Sequence, residues 1–187
     1  QSPMPGFQTK QEQITVSGVN DLTIRSLLDR QQFADPLGQA ERLGISSASW
    51  PLFGLLWPSA THLAARLAAR PVTAAERILE IGCGLGLASL VGHRRSADVT
   101  ASDCHPLAGP FLAENLRLNG LTPMKYRHGH WSASAPQQQQ AQDDGLVALS
   151  GRFDLIIGSD LLYERDGGGT LARFIARHAA PGALVWI

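Results

Sequence analysis

Arg77-Ile-Leu-Glu-Ile-Gly-Cys-Gly-Leu-Gly-Leu87, followed by Val99-Thr-Ala-Ser-Asp103, is the stretch that decides the fold. An apolar run containing β-branched residues enters a glycine-rich turn, and a helix-like segment from Leu87 to Gly92 leaves it. A second short strand then ends in an acid. Gly82, Gly84 and Gly86 carry no Cβ, so the backbone can turn sharply there and approach a ligand closely. Asp103, at the tip of the second strand, is placed to accept hydrogen bonds from a ribose diol. This is the layout of a nucleoside site at the carboxyl edge of a parallel sheet.

The glycine spacing narrows the nucleoside. A dinucleotide turn needs Gly-x-Gly-x-x-Gly, but the sixth position is Leu87 counted from Gly82 and Ser89 counted from Gly84. The pattern present is Glu-x-Gly-x-Gly-x-Gly, from Glu80 to Gly86. A carboxylate at that strand end repels a pyrophosphate and suits a ligand without phosphate and with positive charge, such as S-adenosylmethionine.

The rest of the chain alternates strands and helices. Gln13–Val16 and Asp21–Ile24, joined through Ser17-Gly18, read as a β-hairpin, and 35–38 reads as a turn. The segment Trp50-Pro-Leu-Phe-Gly-Leu-Leu-Trp57 is too apolar for a solvated linker and must pack on something. A helix is expected from Pro58 to before Pro71, with Leu63, Ala64, Leu67 and Ala68 as its apolar stripe. Strand Arg77–Ile81, a helix from about Gly86, strand Asp98–Ala101 and a helix through Phe111–Asn119 closed by Gly120 follow. Met124–His128 reads as a third strand, and Ser132–Gly151, with four consecutive glutamines, as low-complexity linker. Phe153–Gly158 reads as a buried parallel strand, Thr170–His178 as a helix and Ala183–Ile187 as a final strand. The expected architecture is α/β, a Rossmann-like, doubly wound and mostly parallel sheet with an N-terminal hairpin extension. One domain is expected, with 1–57 as hairpin and tryptophan-rich segment and 58–187 as cofactor-binding core. The last strand stops with its edge uncovered, so either a partner covers it or, as expected here, the natural protein continues by roughly one helix and a hairpin that complete the sheet.

Composition bounds the function. The chain has 187 residues, 44% hydrophobic and 17% charged, with formal net charge zero. That is globular composition without the broad basic footprint of a nucleic-acid binder. No apolar run approaches the ~18 residues of a membrane span. Cys83 and Cys104 fall at the tips of neighbouring strands; the cytoplasm is the location expected by default, and there the two are expected as reduced thiols rather than a disulfide. His105, His128 and His130 lack the cysteines or acids that would complete a zinc set, so no metal is expected.

Together, Glu80–Gly86, Asp103, Asn115 with Asn119, and Ser159-Asp-Leu-Leu-Tyr163 resemble the seven-β-strand methyltransferases. Leu56-Trp57-Pro58-Ser59 and the acid-x-x-aromatic pair Asp160 and Tyr163 resemble, more narrowly, family sixteen, the protein-lysine and nicotinamide-methylase-like group. The resemblance runs from about Gly54 to Ile187. It implies that Trp57 flanks the cofactor, that Gly82, Cys83 and Gly84 approach its methionine part, and that Asp103, followed by Cys104, holds the ribose. It further implies Trp131 beside the adenine, although His130 stands where that family usually has an acid, and Ser159 as the small residue at the cofactor. Glu80 and Gly86 complete the cofactor-binding set. The family's terminal antiparallel hairpin is not in this sequence.

The chemistry expected at such a site is in-line methyl transfer from a sulfonium to a neutral amine, with S-adenosylhomocysteine as product. Asp160 can orient the amine and take its proton, and Tyr163 can wall the amine channel. The alternative readings are Asp160 as a helix cap and Tyr163 as plain packing. The expected acceptor is a lysine of a protein, with a small-molecule amine or N-heterocycle as alternative. A nucleic-acid methyltransferase and a non-catalytic cofactor-binding module are further readings. The first lacks its Asn/Asp-Pro-Pro-aromatic motif here. The identity of the acceptor and the oligomeric state are not readable.

Overall fold

A computed structural model of the chain describes residues 7–29, 35, 37–45, 50–159, 161 and 169–187, with backbone alone at 50 and 51. Among these, β3 (Arg77–Glu80), β4 (Asp98–Asp103), β5 (Lys125–His128), β6 (Phe153–Ile157) and β7 (Ala179–Trp186) form one sheet in the order β5-β4-β3-β6-β7. Every pairing is parallel. The strand order reverses between β3 and β6, and in such sheets a crevice opens beyond the strand tips at that point.

After a short α1 (Gln39–Arg42), helices cover both faces. Ile78 packs into one apolar cluster with α2 (Pro58–Ala68), α3 (Leu87–Arg94) and α4 (Ala108–Leu118), while Leu79 and Ile81 pack into a second with α6 (Thr170–His178). The alternation of side chains along β3 sets this division. Helix α2 starts with Pro58 in its first turn and buries Leu63, Ala64 and Leu67. Burial of each leucine contributes ~1.5–3 kcal/mol. Strand β7 lies at the sheet edge against β6, with Leu184 and Val185 exposed.

The hairpin forms from β1 (Thr9–Ile14) and β2 (Leu22–Leu27), so β1 lies earlier than the expected 13–16 and β2 runs beyond the expected end at Ile24. Two asparagines dock it. Asn115 accepts from the Arg25 N–H at 2.7 Å and donates to the Arg25 carbonyl at 3.1 Å. Asn119 does the same to Thr23, at 2.8 Å in both directions. Four residues of helix rise about 6 Å and two residues of strand about 6.8 Å, so an i, i+4 pair matches alternate strand residues. Helix α4 thereby stands in for a strand along the open edge of β2, and the hairpin joins the same apolar cluster as the core.

One expectation is corrected. Residues 132–151 are not a linker throughout: Ala135–Asp143 is a helix, α5. The Ser134 hydroxyl accepts from the Gln137 N–H, and the Gln137 side chain accepts from the Ser134 N–H. This capping box, with glutamine a good helix former, outweighs low complexity, although only Ala141 is buried.

Candidate active site

The turn after β3 builds the floor of a cavity. Gly82 and Gly84 hold φ of 55° and 54°, left-handed values that side chains rarely adopt. A Cβ at Gly82 would strike the Leu161 side chain at 2.5 Å, and one at Gly84 would meet the Phe53 carbonyl oxygen at 3.0 Å. Glycine is therefore required twice, for the turn and for the closeness of its neighbours. The turn is tied to β4: Cys83 N–H donates to the Ser102 carbonyl at 2.9 Å, and Gly84 N–H donates to Asp103 Oδ2 at 2.8 Å. Asp103 Oδ1 accepts from the His105 N–H at 2.9 Å. Burial pushes the Asp103 carboxyl up, while the N–H groups of His105, Gly84 and Cys104 pull it back.

A cavity of about 170 Å³ opens over this floor. Trp57, Gly82, Cys83, Gly84, Gly86, Asp103, Cys104, Trp131 and Ser159, expected from sequence as cofactor-binding, all line it. Among the described residues its lining contains no lysine or arginine. Glu80 is not among the lining residues. It is the last residue of β3, and the pleat turns its side chain to the sheet face beneath α3 rather than beyond the strand tips. There Glu80 Oε1 accepts from the Ser89 hydroxyl at 2.6 Å and the Ser89 N–H at 3.1 Å, capping a helix whose own N-cap residue, Gly86, has no side chain. Burial raises the Glu80 carboxyl to about 7, with both Ser89 contacts pulling it down and the Asp103 charge adding to the rise.

Asp160 and Tyr163, the expected catalytic pair, lie outside the described residues; Ser159 and Leu161, the sequence neighbours of position 160, line the cavity. Both cysteines are free thiols, and burial, then the charges of Asp103 and Glu80, pushes the Cys83 thiol well up. Among the described residues no group of three or more His, Cys, Asp or Glu could hold a metal ion, and no helix is long and apolar enough to cross a membrane.

Sequence reasoning missed the wall opposite the glycine turn. Residues Trp50–Gly54 form a 3-10 helix. Leu52, Phe53, Leu55 and Leu56 from this region line the cavity, and the Trp57 indole N–H donates to the Leu52 carbonyl at 3.2 Å. The signal was the apolar richness of 50–57, which announced packing without its partner. His105, also in the lining, was considered in the sequence only as part of a metal set.

With this geometry in place, comparison with known proteins identifies the group to which the chain is related. The model of the lysine methyltransferase family matches residues 52–185. The chain belongs to the lysine methyltransferase family. Among curated relatives, the electron transfer flavoprotein beta subunit lysine methyltransferase of Rattus norvegicus is 26% identical over 167 residues, covering 87% of this chain and 58% of that protein. The calmodulin-lysine N-methyltransferase of Arabidopsis thaliana is 30% identical over 126 residues, covering 64% of this chain and 38% of that protein. The chain thus spans only part of the length of these relatives. Among solved structures, the T. thermophilus 16S rRNA N2 G1207 methyltransferase, in complex with AdoMet and guanosine, superposes with TM-score 0.57 over 95% of this chain and 41% of that one, at 18% identity. That likeness concerns the fold.

Proposed function

We propose that this lysine methyltransferase family member binds S-adenosylmethionine in the cavity between the glycine turn and the 50–57 wall, and that the protein methylates a lysine amine of a protein substrate. The observation that carries the cofactor is Asp103. It is a buried acid at the tip of β4, held by the Gly84 N–H and lining the same cavity as the turn. A cavity with this carboxylate, and with no cation among the described residues of its lining, disfavours a pyrophosphate and tolerates a sulfonium. Gly82 to Gly84 would approach the methionine part, Asp103 the ribose, and Trp57 and Trp131 the flat parts of the ligand. When bound, the cofactor supplies an electrophilic methyl group.

What the chain supplies is position and an amine in the right protonation state. Near a positive sulfonium, and out of water, an amine is more easily kept neutral. The amine nitrogen forms a bond to the methyl carbon as the carbon–sulfur bond breaks, and the electron pair stays on sulfur. Asp160 is proposed to orient the amine and accept its proton, and Tyr163 to wall its path. The known lysine methyltransferases of flavoprotein and calmodulin favour a protein acceptor over a small amine. Zero net charge and the absence of a Pro-Pro-aromatic motif disfavour nucleic acid. A cytoplasmic location is part of the same proposal, checked by cell fractionation.

Calorimetry with S-adenosylhomocysteine and with NAD tests the cofactor: binding of the first alone is expected, and binding of NAD alone would refute it. Transfer of labelled methyl to protein, RNA and small-amine pools then tests the acceptor. Label in hydrolysed protein should appear as methyl-lysine. Cofactor binding without transfer to any pool would favour the non-catalytic reading.

A further inference from the structure

We infer that His105 is a positioning residue for the cofactor cavity: its ring is the seat on which Phe53, and with it the wall formed by residues 50–54, rests against the glycine turn. The two rings lie nearly parallel, with centroids 3.9 Å apart and planes 18° apart. Phe53 is held from a second side by Phe111 of α4, edge-on at 5.4 Å. Both Phe53 and His105 are buried, and both line the cavity. Fixing the Phe53 ring fixes its backbone, and the Phe53 carbonyl oxygen is the atom that a Cβ on Gly84 would meet at 3.0 Å. A ring contact at β4 thereby sets how closely the N-terminal wall approaches the turn.

His105 is itself held in place along its length. Its N–H donates to Asp103 Oδ1 at 2.9 Å, and its carbonyl accepts from the Tyr126 hydroxyl at 3.4 Å. Its Nδ1 accepts from the Leu107 N–H at 3.1 Å, at the start of α4. An Nδ1 used as an acceptor leaves the ring proton on Nε2. Burial, opposed by the Asp35 charge, pushes this imidazole down to about 3, so the ring stays neutral and contributes its flat face rather than a titration. Because His105 also donates to the ribose-side acid, one residue sets the distance between the Asp103 floor and the Phe53 wall.

Two substitutions separate the flat face from the acceptor nitrogen. His105→Asn keeps a side-chain acceptor for an N–H two residues on and removes the ring. His105→Phe keeps a ring and removes the acceptor. The inference rests on the cofactor assignment, so S-adenosylhomocysteine affinity and the S-adenosylmethionine KM are the readouts. His105→Asn should raise both constants about five- to tenfold, the scale of one lost aromatic pair, and leave kcat at saturation nearly unchanged. His105→Phe should rescue affinity to within about twofold of the parent if the face is what matters. The reverse order would overturn the inference in favour of the acceptor. Equal losses in both variants, or none, would overturn it too. Phe53→Leu supplies a second measurement: its penalty should shrink in the His105→Asn background, and strictly additive penalties would refute the coupling. A parent protein that fails to bind S-adenosylhomocysteine would sink the cofactor assignment together with this inference. Parent binding with an unaffected His105→Asn would overturn this inference alone.

Discussion

Glu80→Gln should make the protein more stable at alkaline pH and flatten its stability profile. The Glu80 carboxyl is buried, accepts twice from Ser89, and stands near 7 when folded against an ordinary 4.5. A carboxyl raised by folding holds its proton longer in the folded state than in the unfolded one. Its contribution is therefore complete below about pH 4.5 and is lost as pH rises through about 7. At ~1.4 kcal/mol per pH unit, the loss between about pH 5 and pH 8 is roughly 2–3 kcal/mol. The amide oxygen that the substitution introduces can still accept from Ser89, and the amide has no charge to desolvate. Urea unfolding of both proteins at the two pH values isolates the term, because pH-independent costs of the substitution cancel in the double difference. The His105 ring titrates in the opposite sense, depressed when folded, so it weakens the protein as pH falls below about 6.5. It does so equally in both proteins and also cancels. With a urea slope of about 2 kcal/mol per molar, the midpoint of Glu80→Gln relative to the parent should rise by about 1 M from pH 5 to pH 8. Parallel profiles would refute the reasoning, since they would mean that Glu80 is solvated or already paired with a charge.

Further outcomes follow from the same geometry. Asn115→Ala removes both hydrogen bonds to Arg25 and should cost about 2–4 kcal/mol, with the Thr23 and Arg25 amides losing protection first in hydrogen exchange. Protection unchanged at those amides would show that the hairpin docks by its apolar residues alone. Asp103→Ala should weaken S-adenosylhomocysteine binding by about 1–3 kcal/mol in calorimetry, and Asp103→Asn by less, because an amide oxygen can still accept from the Gly84 N–H. Asp160→Asn should lower turnover by a factor on the order of 10² while changing cofactor affinity much less. Full activity on the true acceptor would remove Asp160 from its proposed role.

Much of the fold was legible because the parallel strands carry two signals at once. Ile78, Leu79, Ile156 and Ile157 are apolar on both faces, and turn residues punctuate them. Where only one signal was present, the reading slipped. The core range Asp98–Ala101 stopped short of the tip that the acid marks: Ser102 and Asp103 are buried, and the ladder continues to Asp103. The strand β1 is polar as far as Gln13 and mostly exposed, so alternation could not locate its start. In α5 the composition concealed the capping box, although Ser134-x-x-Gln137 was there to be read.

The candidate site divides along the same line. Residues at or just beyond a strand tip, such as Gly82, Asp103 and Ser159, have their surroundings dictated by the parallel topology, so a motif suffices to bring them together. Glu80 is also the last residue of its strand, but pleating aims its side chain at the sheet face, and the carboxylate that looked like a ligand contact is turned under α3. The Phe53–His105 stack depends on neither pleating nor topology. It joins an apolar segment upstream of the first core strand directly to a histidine two residues past the acid. No local pattern encodes such a contact, because each partner has an adequate separate explanation, one as an apolar anchor and the other as a strand-tip histidine. The cavity is therefore a joint product: the sheet edge provides the acid and the glycine turn, and the N-terminal segment provides the opposite wall. Specificity for what enters can change in that segment while the sheet edge, and the motif that identifies it, stays the same.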